Sequence, residues 1–274
     1  MKQFGLQKGV VVALVIGVSV ISVALAESQG TEQNANNKGF SVAARSDRSD
    51  MGFGDSKVRL VMILRNPAGT ESRRKMFVQT LEMANENLGD RSLIIFDSPA
   101  DVSGTALLSH ARILEPDDQW LFLPALKRTK RISSVNRSGP FVGSEFAFED
   151  LTSEELNKFT YKYLRSEPCG DKVCDVVERI PRYEHSGYKQ QIAWFDQAIY
   201  QVRKVEFYDR RNELIKVLTV EDYRQYLNRY WRAHRYSMVN MKTKKSTDLI
   251  YDDYDFKTGL SKRDFDKFAL SRSR

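Results

Sequence analysis

Between residues 57 and 256 the chain keeps returning to one pattern: short segments that alternate apolar and polar residues, each closed by a turn. Residues 57–65 set Val58, Leu60, Met62 and Leu64 on one side, while Val61 and Ile63 make the other side partly apolar too. A period of two is the mark of a strand on a sheet face. Asn66-Pro-Ala-Gly69 then turns the chain into a second strand over 71–83, giving a hairpin. Strand patterns recur at 92–96, 105–113, 119–125, 127–132, 158–165 and 173–179, and again at 191–195, 200–209, 214–227, 230–241 and 247–256. Helical signals are few: a polar start at Thr152-Ser-Glu-Glu155, and a terminal stretch 261–270 with Phe265 and Phe268 on one side. There is no strand–helix–strand rhythm, so the reading is mainly β with few helices: one strongly curved antiparallel sheet rather than a doubly wound fold. Strands this long and apolar on one face must cover that face with helices, close into a barrel, or enclose something.

The N-terminus is of another kind. Lys2 and Lys8 make a positive start, and residues 9–25 are an uncharged apolar run interrupted only by Ser19 and Ser22. The run ends in Ala24-Leu-Ala26, small residues where a signal peptidase needs them, so residues 1–26 read as a cleaved secretory signal peptide. Its length is close to the ~17-residue lower limit of a transmembrane helix, which leaves an uncleaved anchor open on length alone. The Ala-x-Ala ending and the polar stretch 27–38 favour cleavage. No Cys follows the run, so the mature chain is expected to be soluble and free of an acyl anchor. Residues 27–39, rich in Gln, Asn, Gly and Ser, read as disordered, and 40–50 fit a short helix. This polar leader, 27–50, precedes a domain over 51–274.

Taking 26 residues from 274 leaves 248, enough for a sizeable core, and the formal charge of +7 falls to about +5. The basic residues are scattered without interleaved aromatics, which argues against a nucleic-acid groove. Cys169 and Cys174 are the only cysteines and frame Gly170-Asp-Lys-Val173, which looks like a hairpin turn. In an oxidising compartment such a pair is expected to form a disulfide. A metal site is the sharper alternative, but further Cys are missing and His110, His185 and His234 lie far apart. Closing so short a loop contributes ~2 kcal/mol or less.

Catalytic signatures are missing: the chain has no nucleophile elbow, zinc-protease helix, P-loop or dinucleotide fingerprint. The acid pairs Asp117-Asp118, Glu154-Glu155 and Asp252-Asp253 read as solvated turn or strand-end residues, and His110 and His234 as satisfied or exposed. No catalytic residue, metal ligand or cofactor is named. The basic run Lys127, Arg128, Lys130 and Arg131 has two readings: the solvated face of an edge strand, where Lys blocks edge pairing, or a docking patch for an acidic partner or lipid headgroups. Twelve Tyr, fifteen Phe and three Trp exceed what charge or catalysis explains, and they suit a core or a hydrophobic pocket.

Several blocks resemble the outer-membrane lipoprotein-sorting family, the LolA/LolB-like periplasmic carriers, and in particular the subgroup found with RND-type lipid exporters. They are Ser98-Pro-Ala-Asp-Val-Ser-Gly-Thr-Ala-Leu-Leu108, Asp117-Asp-Gln-Trp-Leu-Phe-Leu-Pro-Ala-Leu-Lys-Arg128 with Arg131-Ile132, Phe141-Val-Gly-Ser-Glu-Phe-Ala-Phe-Glu-Asp-Leu151, Lys204-Val-Glu-Phe-Tyr-Asp209 and Leu214-Ile-Lys-Val-Leu-Thr-Val220. The resemblance implies a half-open β-barrel wrapped around an apolar cavity, with short helices as a lid. It also implies a monomeric, non-enzymatic periplasmic carrier or chaperone for a lipid or a lipoprotein acyl chain. On that reading Leu60, Met62, Leu64, Leu107, Trp120, Phe122, Phe146, Phe148 and Phe207 are the cavity candidates, and a parity error of one residue would swap any strand's face. The alternative is an adaptor that docks on an RND-type envelope transporter through residues 127–131, carries no cargo, and has a filled core. Ser46-Asp-Arg-Ser-Asp50, ahead of the first strand, is short and polar, so the lid is expected to be incomplete.

Overall fold

The protein is described by a computed structural model over residues 17–83, 88–113, 115–268 and 270. A single α-helix among them, α1 (Gly17–Asp50), precedes fourteen strands. These are β1 (Asp55–Arg65), β2 (Glu71–Leu81), β3 (Arg91–Ser98), β4 (Ala106–His110), β5 (Asp118–Leu123), β6 (Arg128–Ile132), β7 (Phe159–Cys169) and β8 (Lys172–Pro181), then β9 (Gln190–Asp196), β10 (Val202–Tyr208), β11 (Leu214–Tyr226), β12 (Tyr230–Asn240), β13 (Ser246–Tyr251) and β14 (Asp255–Phe256). All belong to one antiparallel sheet in the order β6-β5-β4-β3-β2-β1-β13-β12-β11-β10-β9-β8-β7, with β14 beside β1. The mainly β, single-sheet architecture expected from the alternation is therefore the one observed. The sheet is not closed, because its outer strands β6 and β7 succeed one another in the chain without pairing.

Residues 133–158 bridge those two edges as a strap of short 3-10 turns. Three phenylalanines pin it: Phe141, Phe146 and Phe148 are buried in the main core with Leu60, Met62 and Leu107 of the sheet. Its backbone is tied down as well. Arg74 donates to the Val142 carbonyl, Gln119 Nε2 donates to the Phe148 carbonyl at 2.9 Å, and the Glu145 amide donates to Thr247 Oγ1 at 3.0 Å. These partners sit on β2, β5 and β13, so the strap crosses the concave side rather than looping into solvent.

The leader differs from its composition-based reading. Where composition suggested a disordered stretch over 27–39, α1 runs through it to Asp50. Most side chains over 31–41 are exposed, and the helix is anchored one turn later, where Val42, Ala43 and Ala44 are buried. Gly39 lets it lie close: a Cβ there would come within 2.6 Å of the Tyr163 backbone nitrogen on β7. Among the described residues no helix is long and apolar enough to cross a membrane, and residues 1–16 of the expected signal segment lie outside them.

At the other end, where a helix is expected over 261–270, the chain forms a 3-10 turn over Lys262–Phe265 and leaves it at Asp266. Ser261 and Asp264 cap it: the Ser261 amide and hydroxyl both donate to Asp264 Oδ2, at 2.8 and 2.9 Å. Phe265 is buried and Phe268 is 76% exposed, so the two do not share a side. Phe265 and Leu270 instead cover Leu93, Leu108 and Trp120 on the outer face of β3–β5. Cys169 and Cys174 form the expected disulfide, with Cα atoms 5.9 Å apart. Cys169 faces Lys172 and Cys174 faces Glu167, so the bond runs diagonally across the β7–β8 hairpin.

Candidate ligand cavity

A cavity of about 580 Å³ lies inside the curl of the sheet, between its concave face, the C-terminal part of α1 and the strap. Alternation dictates its apolar wall: Val205 and Phe207 of β10, Leu218 and Val220 of β11, Met238 of β12 and Leu249 of β13 point inward at every second position. Val78 of β2 and Ile94 of β3 complete the wall from the other half of the sheet, so strands far apart in the sheet order enclose one space. Ala43, Ser46, Asp47 and Asp50 of α1 form part of the rim. The lid expected to be incomplete is thus the last turns of a long helix.

The opposite wall is polar. Tyr161, Arg179 and Gln191 occupy directly opposed positions on β7, β8 and β9 and line the cavity. Opposed residues of antiparallel strands share a face, so the three form one inward row. Above them, Arg137 of the strap stacks over the Tyr183 ring at 5.5 Å, Tyr183 packs edge-on against Phe159 at 6.1 Å, and Arg179 lies over Phe159 at 5.4 Å. Lys158 is buried against Asp117, which also lies 3.8 Å from Arg137 and accepts from the Arg112 amide at 2.8 Å. Asp117 is therefore no solvated turn residue. It ties the β5 end of the sheet to the start of β7, across the unpaired gap.

Acidic groups crowd the rim under α1. Asp50 pairs with Arg232, and Glu82 accepts from the Gly52 and Gly54 amides at 2.6 and 2.8 Å. Burial pushes the Asp90 carboxyl up to about 7; the Met83 amide counters this and the neighbouring Glu155, Glu82 and Asp50 add to it. Burial likewise raises Asp50, Asp47 and Glu155. Asp150, on the strap, is pushed up to about 6 by burial against the pull of Lys216. Burial also raises the phenols of Tyr161, Tyr236 (to about 12) and Tyr251, which keeps them neutral donors on the lining.

Of the nine cavity candidates, Phe146 and Phe207 line the space. Leu60, Met62, Leu107 and Phe148 are buried in the packed core on the same side, and Leu64 packs against that core. Trp120 and Phe122 do not belong with them. The register places Leu107 opposite Leu121 and Leu108 opposite Trp120, so Trp120 and Phe122 share the outer face with Leu108 and the C-terminal segment. Phe122 there borders a second depression of about 810 Å³, together with Phe77, Ile95, Arg59 and Lys127. Lys127, Arg128, Lys130 and Arg131 are all exposed, the last three along the edge strand β6, and Arg131 pairs with Asp118. Sequence reasoning missed Arg137, Arg179 and Gln191. Arg179 carried a weak signal, since it shares parity with the buried Val177. His234 is satisfied, bonded to Tyr226 Oη at 2.9 Å and to the Tyr251 carbonyl at 3.0 Å. Among the described residues no group of three or more His, Cys, Asp or Glu is placed to hold a metal ion.

An open antiparallel sheet curled around a cavity, with a strap and a helix end across it, is a half-barrel. The chain belongs to the outer membrane lipoprotein-sorting protein family. It is 48% identical to a structure from Vibrio parahaemolyticus described as an outer membrane lipoprotein-sorting protein domain, matching over 86% of this chain and 100% of that one with a TM-score of 0.84. A DUF1329 family protein from Desulfovibrio piger shares the fold at 24% identity and a TM-score of 0.81, over 86% of this chain and 99% of that one. A LolA superfamily protein from Nitrosomonas europaea does so at 23% and 0.66, over 84% and 97%. A family model described as "Uncharacterized protein" matches residues 89–272. No curated protein matches the chain.

Proposed function

We propose that this protein is a non-enzymatic periplasmic carrier that holds the acyl chain of a lipid or lipoprotein in its cavity, after export and removal of residues 1–26. The observation that carries the reading is the apolar wall. Side chains from β2, β3 and β10–β13 that belong to the main core also line about 580 Å³ of space, and ligand sites commonly occupy ~300–1,000 Å³. A carrier gains ~0.8 kcal/mol for each methylene it takes out of water, so a handful of methylenes suffices for useful retention. Release then requires a partner or a conformation that binds the chain less well. Native mass spectrometry of the mature protein, purified without detergent, is expected to show lipid adducts that organic extraction removes. Clean spectra, with no uptake of a fluorescent fatty acid, would sink the reading.

A second reading has its own support: the exposed basic edge β6, with Lys127 beside it, suits docking on an acidic surface of an RND-type envelope transporter. Reversing Arg128 and Arg131 to Glu is expected to weaken pull-down of envelope partners several-fold while the thermal midpoint stays put. Unchanged pull-down removes the docking role.

A further inference from the structure

The cavity's polar wall has more hydrogen-bond donors than the protein uses. Arg137, Arg179 and Gln191 are 2%, 4% and 4% exposed and all line the cavity. Nε and Nη2 of Arg137, Nε of Arg179 and Oε1 of Gln191 have no hydrogen-bond partner among the described residues. Leaving buried polar atoms unpaired is costly, more so when the group is charged. The cavity lining as a whole is rich in carboxylates, but the local pairing of the two guanidiniums is sparse. Lys158 and Arg137 share one buried carboxylate, Asp117, and among the described residues Arg179 pairs with Glu154, whose side chain is 56% exposed. Two acids of the strap, Glu149 and Asp150, are already engaged. Glu149 accepts from Tyr183 Oη, Ser186 Oγ and the Gly187 amide, and Asp150 from the Ala147 amide and Tyr188 Oη.

We infer that Arg137 and Arg179 form a seat for an oxyanion headgroup, so that the cargo is an anionic amphiphile bound head-inward rather than a neutral acyl chain. Guanidinium forks match the planar oxygens of a carboxylate or the tetrahedral oxygens of a phosphate. Gln191 Oε1, an acceptor in the same row as Arg179, takes a hydroxyl of the head or its protonated oxygen. The tail then runs along Val205, Leu218 and Met238 toward α1. This rests on the carrier reading and narrows it to a cargo with a free acid group.

The test compares three probes of one chain length, hexadecanoate, hexadecyl phosphate and hexadecanol, binding to the full mature chain at pH 8. The acids are expected to bind about tenfold or more tightly than the alcohol, the usual size of a charge-assisted contact. Whichever acid is preferred identifies a carboxylate or a phosphate as the head. Arg179→Gln should erase the preference, bringing the acid-to-alcohol affinity ratio to about one. Arg179→Lys, which keeps the charge, should retain part of it. Equal affinity for acid and alcohol overturns the headgroup seat and leaves carriage standing. Failure to bind any of the three overturns carriage itself. If Arg179→Gln does not fold, the acid-to-alcohol ratio of the unaltered protein and of Arg179→Lys decides.

Discussion

Asp90 shows what a residue at the rim costs the fold. Its carboxyl is raised to about 7 chiefly by burial, so the folded protein binds this proton more tightly than the unfolded chain, whose carboxyl titrates at ~3.9. Stability contributed here is therefore highest at low pH and falls as pH climbs from about 4 to about 7, above which it is flat. Asp90→Asn keeps an acceptor for the Met83 amide, 2.9 Å away, and removes the charge. In urea titrations at pH 8 it is expected to raise stability by on the order of 1–2 kcal/mol, after allowance for partial exposure, with the difference vanishing near pH 4. A variant equal to the parent at pH 8 would show that Asp90 is solvated. At this scale the sequence was only partly legible. Asp117 looked like one of two adjacent turn acids, yet it is buried between Lys158, Arg137 and the Arg112 amide, partners up to 41 residues away. No local pattern announces such a contact.

Elements were far more legible than the faces they present. The alternation found the strands, because a period of two is written into each of them. It did not settle how β4 and β5 register. Residues 111–117 between them decide that, and they set Leu107 against Leu121 rather than Trp120. The length of α1 was also hidden, since its exposed turns are polar and its hold on the sheet is tertiary. Gly39 is central to that hold. Gly39→Leu would drive a Cβ into the β7 backbone at Tyr163, and the helix must back away. The expected result is a loss of about 1–3 kcal/mol, with faster hydrogen exchange confined to α1 and β7. Exchange that changes evenly over the whole sheet would contradict the helix's role as a separable lid.

On the scale of the molecule, the cavity and the packed core share one concave face. Val205 is 1% exposed and lines the space from β10. Val205 also packs in the main core, and Val205→Trp adds bulk at the cavity wall. It is therefore expected to abolish fatty-acid uptake at a cost of ~1–3 kcal/mol in stability. Uptake that persists would place the ligand elsewhere. The strand order also bears on how the chain reaches this state. β1 to β6 form a run of neighbours joined by short links, β7 to β13 form another, and the two pair as strands where β1 lies against β13 and β14, with Leu60 opposite Tyr251. Each run is built from pairings close in sequence, whereas that seam joins opposite ends of the chain and is entropically the hardest to close. The two halves should thus collapse separately and zip along β1 last, so a nascent chain would expose its greasy interior until its final strands arrive.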